Sequence, residues 1–85
     1  MPGSGGVSPT LFRVAGLRFF FFSREESRLH VYVAGPDGDA KFWLEPELEL
    51  AENHGLSRRA LSEARRVIEE RTDEIRTAWS RHFGG

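Results

Sequence analysis

Apolar and polar residues alternate through three stretches of the 85-residue chain, and apolar residues recur at helical spacing through a fourth. Alternation marks a strand with one buried face, because successive side chains point to opposite sides of a sheet. The first stretch reads Leu11-Phe12-Arg13-Val14, breaks at Ala15-Gly16, and resumes as Leu17-Arg18-Phe19-Phe20-Phe21-Phe22-Ser23. That pattern predicts two aromatic-rich strands joined by a two-residue turn. Ser23 to Ser27 is polar and reads as a loop. Arg28 to Ala34 alternates into a third strand, with Leu29, Val31 and Val33 on one side and His30 and Tyr32 on the other. Gly35-Pro36-Asp37-Gly38 supplies turn chemistry, proline presetting φ and glycine accepting a left-handed backbone, and Asp39 to Leu44 makes the fourth strand. With those four residues as the loop, Ala34 faces Asp39, Tyr32 faces Lys41 and His30 faces Trp43. This register keeps Val31, Val33, Phe42 and Leu44 together, whereas a slip of one residue would turn a strand over.

The rest of the chain predicts helices. Pro46 suits a first helical turn, Glu47 and Glu49 favour its positive end, and Gly55 suits a C-terminal cap, so a short helix is expected from about Pro46 to His54. Ser57 then caps a longer helix, with Leu56 and Leu61 forming a hydrophobic staple. Leu61, Ala64, Ile68, Ile75, Ala78, Trp79 and His82 fall on one stripe at helical spacing, so this helix is amphipathic and ends near Phe83. Arg71 lies inside that stripe and must either snorkel past its apolar neighbours or pair with a carboxylate. Residues 1–8 are polar and glycine-rich, and read as a disordered tail. The expected organisation is therefore one α+β domain over residues 9–83. It comprises a four-stranded antiparallel sheet from two hairpins, followed by a short and a long helix packed on one face.

Charge and composition narrow the function. A formal net charge of −1, 39% hydrophobic residues and no cysteine suit one small domain without a disulfide. The distribution is more telling than the sum. The chain up to Ser23 carries +2, Arg24 to Leu56 carries −5, and Ser57 onward carries +2. Such a chain is no uniformly basic nucleic-acid binder, and only a local patch could serve that purpose. Its longest apolar run, Phe19 to Phe22, is far too short to span a bilayer, and the start lacks a basic segment followed by an apolar stretch. A cytoplasmic protein with no membrane contact is expected.

The predicted register sorts the side chains by face. One face holds Phe12, Val14, Leu17, Phe19, Phe21, Leu29, Val31, Val33, Ala40, Phe42 and Leu44, without a charge, and should be the core. The other presents Arg13, Arg18, Phe20, Phe22, His30, Tyr32, Lys41 and Trp43, so cations alternate with aromatic rings. On this reading Phe20, Phe22, His30, Tyr32 and Trp43 are accessible, and Arg13 stands directly opposite Arg18, where like charges repel. The second face suits a nucleic-acid strand, with bases on the rings and phosphates on the cations. It equally suits an acidic protein partner or a second copy of the chain in a homodimer. The plainer alternative is that long Arg and Lys stems cover rings on a solvated sheet.

The segments Pro9-Thr10-Leu11-Phe12-Arg13-Val14-Ala15-Gly16-Leu17-Arg18-Phe19-Phe20-Phe21-Phe22-Ser23 and Ala40-Lys41-Phe42-Trp43-Leu44-Glu45-Pro46 closely resemble the small bacterial domain of unknown function numbered 4160. The ending, with Ile68, Ile75, Trp79 and Phe83, looks like that family's closing helix. Where relatives usually carry Pro-Pro-His-Val-His-Val, this chain reads Arg28, Leu29, His30, Val31, Tyr32, Val33, keeping one of the two histidines. The resemblance implies no agreed activity; it implies an association with toxin–antitoxin components.

No glycine-rich phosphate loop, serine elbow or zinc helix motif is present. His30, His54 and His82 fall on three different elements without zinc-site spacing, so neither a metal site nor a cofactor is expected. One set could support catalysis: a metal-independent ribonuclease would use His30 as general base, Tyr32 as general acid, and Lys41 or Arg18 to steady the phosphorane. The favoured expectation is a non-enzymatic binding module acting through the cationic aromatic face, with the ribonuclease or a nucleic-acid-binding protein as the alternative.

Overall fold

The computed structural model describes residues 10–21 and 28–84, and the side chains through His82. The tail over residues 1–8, the Ser23 to Ser27 loop and Phe22 lie outside the described residues. Five strands form one antiparallel meander in the order β1 to β5: β1 Thr10–Val14, β2 Leu17–Phe20, β3 His30–Ala34, β4 Asp39–Trp43 and β5 Glu49–His54. Helix α1 spans Arg58–Glu70, α2 spans Thr72–Trp79, and a π-helical turn closes the chain at Ser80–Gly84.

The aromatic-rich hairpin turns at Ala15 and Gly16, where φ is +56° and +78°. Two left-handed residues in succession match the twist of the flanking strands, and alanine adopts the geometry despite its Cβ. The β3–β4 register is the one expected: His30 faces Trp43, Tyr32 faces Lys41 and Ala34 faces Asp39. Leu17, Phe19, Phe21, Leu29, Val31, Val33, Ala40, Phe42 and Leu44 are all buried, with Phe12 and Val14 packed half-buried at the margin. Leu56, Ala64, Val67, Ile68 and Ile75 cover them from the helical side.

The sheet has five strands rather than four, because the segment expected as a short helix is β5. It pairs with β4 through Trp43 to Glu49, Phe42 to Leu50, Lys41 to Glu52 and Ala40 to Asn53, with a bulge between Lys41 and Phe42. Nine residues make a marginal helix in water, and a helix here would leave one backbone edge of β4 unpaired. Pairing satisfies that edge, so the ladder overrides the local helix signals. Gly55 is left-handed, as a cap would be (φ +102°), but it ends the strand and leads into α1.

The long helix is also divided. At Arg71 the backbone moves to φ −118° and ψ 26°, and its N–H donates to both Val67 and Ile68 carbonyls. The next residue's hydroxyl, Thr72 Oγ1, donates to the Ile68 carbonyl at 2.9 Å. A threonine hydroxyl competing for a helical carbonyl is a known cause of bending. Arg71 itself does both things open to it: its guanidinium lies 4.6 Å from the Phe12 ring centroid and 3.3 Å from Glu74. Upstream, Ser57 Oγ accepts from the Ala60 N–H, the expected cap. Arg66 pairs with Glu63 and Glu70, whose carboxylates raise its pKa above the ordinary value, Glu63 more strongly.

Candidate functional site

Residues directly opposite one another in a ladder share a face. The registers therefore place Arg13, Arg18, Phe20, His30, Tyr32, Lys41 and Trp43 on the side of the sheet away from the core. One cross-strand row runs Arg13, Arg18, Ala34, Asp39. A second runs Thr10, Phe20, Tyr32, Lys41, Glu52, and a third runs His30, Trp43, Glu49.

Rings and cations form one continuous layer. The Arg18 guanidinium lies 4.3 Å from the Phe20 centroid, and Phe20 stacks on Tyr32 at 5.6 Å. Lys41 Nζ sits 4.4 Å from the Trp43 centroid and 5.7 Å from that of Tyr32. Arg28 covers Trp43 at 4.1 Å, while its Nε donates to the Glu45 carbonyl oxygen at 2.7 Å and its guanidinium reaches Glu49 at 3.7 Å. Such contacts are favourable because a ring face is negative and the Arg and Lys stems are apolar.

The expected accessibility of the aromatic set needs correction. Tyr32 and Trp43 are half-buried, but His30 is completely buried, and Phe20 and Lys41 expose only 8% and 6% of their surface. The division of α2 from α1 bears on this, because α2 carries Trp79 to the end of the sheet. There the Trp79 ring meets His30 edge-on at 5.0 Å and Phe21 at 5.2 Å. Tyr32 and Trp43 flank the imidazole at 5.5 and 5.6 Å, and its Nδ1 lies 2.7 Å from the Arg28 carbonyl oxygen. A phosphodiester has no path to this imidazole in this conformation, so the His30, Tyr32, Lys41 and Arg18 set does not assemble an accessible acid–base pair.

Charge on the face is polarised, and sequence reasoning missed half of it. The β1–β2 side carries Arg13 and Arg18 and no acid; the β4–β5 side carries Asp39, Glu49 and Glu52 against Lys41 and Arg28, the latter paired with Glu49. Glu49 and Glu52 were hidden by assignment to a helix. Asp39 was legible, since the expected register already set it opposite Ala34. Among the described residues neither Arg13 nor Arg18 has an ion-pair partner; Arg18 donates to Thr10 Oγ1 at 3.2 Å.

Elsewhere, a groove of about 450 Å³ lies between the β1–β2 turn, Pro36 and the first turn of α1, with Arg59 and Glu63 as its charged lining. No group of three or more metal-ligating side chains converges among the described residues, and no described helix is long and apolar enough to cross a membrane.

A family model described as Domain of unknown function (DUF4160) matches residues 16–80, and the chain belongs to that family. The matched span runs from the β1–β2 turn through α2. No curated protein and no solved structure matches the chain.

Proposed function

We propose that this DUF4160 domain is a cytoplasmic protein-binding module, one component of a toxin–antitoxin-type pair, whose contact surface is the second sheet face. One observation carries the binding reading: Arg13 and Arg18 stand directly opposite each other with no carboxylate among the described residues to separate them. Like charges across a ladder are unfavourable, and an acidic group supplied by a partner reverses the sign of the interaction. On the same face, half-buried Tyr32 beside Phe20, and half-buried Trp43 between Arg28 and Lys41, supply the rigid aromatic area typical of interface centres. The toxin–antitoxin assignment comes from the family resemblance.

A protein is favoured over nucleic acid because a strand tracking the whole face would run its phosphates past Asp39, Glu49 and Glu52. The test is co-purification of the tagged domain with the product of the adjacent reading frame. Capture by the wild type that Tyr32→Ala and Arg13→Glu both abolish supports the reading. Absence of capture in both wild type and variants, at low and high salt, overturns the pairing.

A further inference from the structure

We propose that the second sheet face joins two copies of this chain in a closed twofold dimer. The inference rests on the protein-contact reading above: without the adjacent-frame partner, the acidic region that Arg13 and Arg18 require is the β4–β5 half of another copy.

Every charged side chain of the five strands lies on this face, with cations alone at one edge and carboxylates in excess at the other. Arg13 and Arg18 hold the first edge, Asp39, Glu49 and Glu52 outnumber Lys41 and Arg28 at the second, and Tyr32 on the central strand lies between. A surface polarised across its width is complementary to itself after a half-turn. Rotating a second copy about an axis parallel to β3 lays its β4 and β5 over β2 and β1 of the first. Arg18, Ala34 and Asp39 occupy one cross-strand row, so the rotation sets Arg18 of each copy over Asp39 of the other. Arg13 of each copy then lies over β5 of the other, one same-face row (about 7 Å) from Glu52. Each pairing is made twice, as an isologous interface requires, and the assembly closes at two. The other in-plane axis, across the strands, stacks β1 on β1 and β5 on β5, like charge on like. Charge therefore selects the axis.

Competing occupants satisfy less of the surface. A wholly acidic protein serves the arginines but is repelled by Asp39, Glu49 and Glu52, and a polyphosphate strand meets the same three carboxylates. Only a partner with both signs in this order complements both halves. Size sets the strength. Five strands about 4.8 Å apart and roughly 17 Å long offer at most on the order of 400 Å² per copy, and less because Phe20, His30 and Lys41 are already buried, so the interface is under about half a standard stable one and the dimer is weak and salt-sensitive.

Sedimentation of the full chain from micromolar to millimolar concentration, at low and high salt, reads the association. The wild type should dimerise at low salt and dissociate at high salt. Arg13→Glu with Arg18→Glu, or Asp39→Lys with Glu52→Lys, should each weaken self-association by about tenfold or more. Mixing the two variants should restore a heterodimer, since one then carries acids at both edges and the other cations. Circular dichroism checks that each variant is folded; if a double swap is not, the single Arg13→Glu and Glu52→Lys variants, both at exposed positions, replace it. A wild type that stays monomeric throughout, or folded swaps that do not associate when mixed, overturns the dimer. If that monomer still captures the adjacent-frame product in a Tyr32-dependent way, only the dimer falls. Binding of labelled single-stranded RNA by the monomer, lost on the arginine swaps, overturns both readings.

Discussion

The ring of Trp79 on α2 closes edge-on over the imidazole of His30 on β3, with centroids 5.0 Å apart. The pair ties the last helix to the first residue of the central strand, and it converts a histidine that alternation alone would leave outside into a fully buried one. His30 is therefore a packing residue in this fold, and Tyr32, Trp43, Trp79 and the Arg28 carbonyl are among the groups that hold it.

Truncating it should cost stability. His30→Ala removes the ring contacts and the polar contact together, and an unfolding free energy lower by about 2–4 kcal/mol is expected in urea titration. A loss below the error of the measurement would place His30 outside the core.

The two faces should respond differently to truncation. Phe42 is 1% exposed beneath the helices, and Phe42→Ala should cost about 3–5 kcal/mol. Tyr32 is half-buried on the open face, and Tyr32→Ala should cost about 1–2 kcal/mol while abolishing partner contact. Equal losses at the two positions would mean that the second face is also core.

Two glycines make a sharper contrast. A Cβ on Gly38 would lie 2.0 Å from the His54 carbonyl oxygen and 2.8 Å from Gly55 Cα, both backbone atoms, where the β3–β4 turn meets the end of β5. A Cβ on Gly16 meets nothing within 4 Å, so only its left-handed φ of +78° opposes substitution. Gly16→Ala should cost about 1 kcal/mol, and Gly38→Ala more than about 2 kcal/mol, because backbone must move. Thermal unfolding of the two variants side by side reads the difference.

Arg13 offers a change in the opposite direction. In dilute, monomeric protein, Arg13→Thr removes a like charge directly opposite Arg18 and should stabilise the fold by about 0.2–1 kcal/mol at low salt. The gain should shrink as salt screens the pair, and a gain independent of salt would assign it to strand propensity instead.

Much of this architecture was legible along the chain. Period-two alternation is local, so the buried set Phe19, Phe21, Val31, Val33 and Phe42 and the pairing of Tyr32 with Lys41 followed from neighbours a few residues apart. Family membership likewise resides in the sequence, over residues 16–80. The tertiary structure decided three further things. Glu49–His54 became a strand because the open edge of β4, several residues upstream, offered a complete ladder where the local signals offered only a short helix. His30 was buried because α2, set off from α1 at Arg71, delivers Trp79 across a separation of 49 residues. The excess of carboxylates at the far edge of the second face came into being only when β5 joined the sheet and added Glu49 and Glu52 to Asp39. Each depends on groups distant in sequence meeting in space, and periodicity within one element carries no record of that meeting.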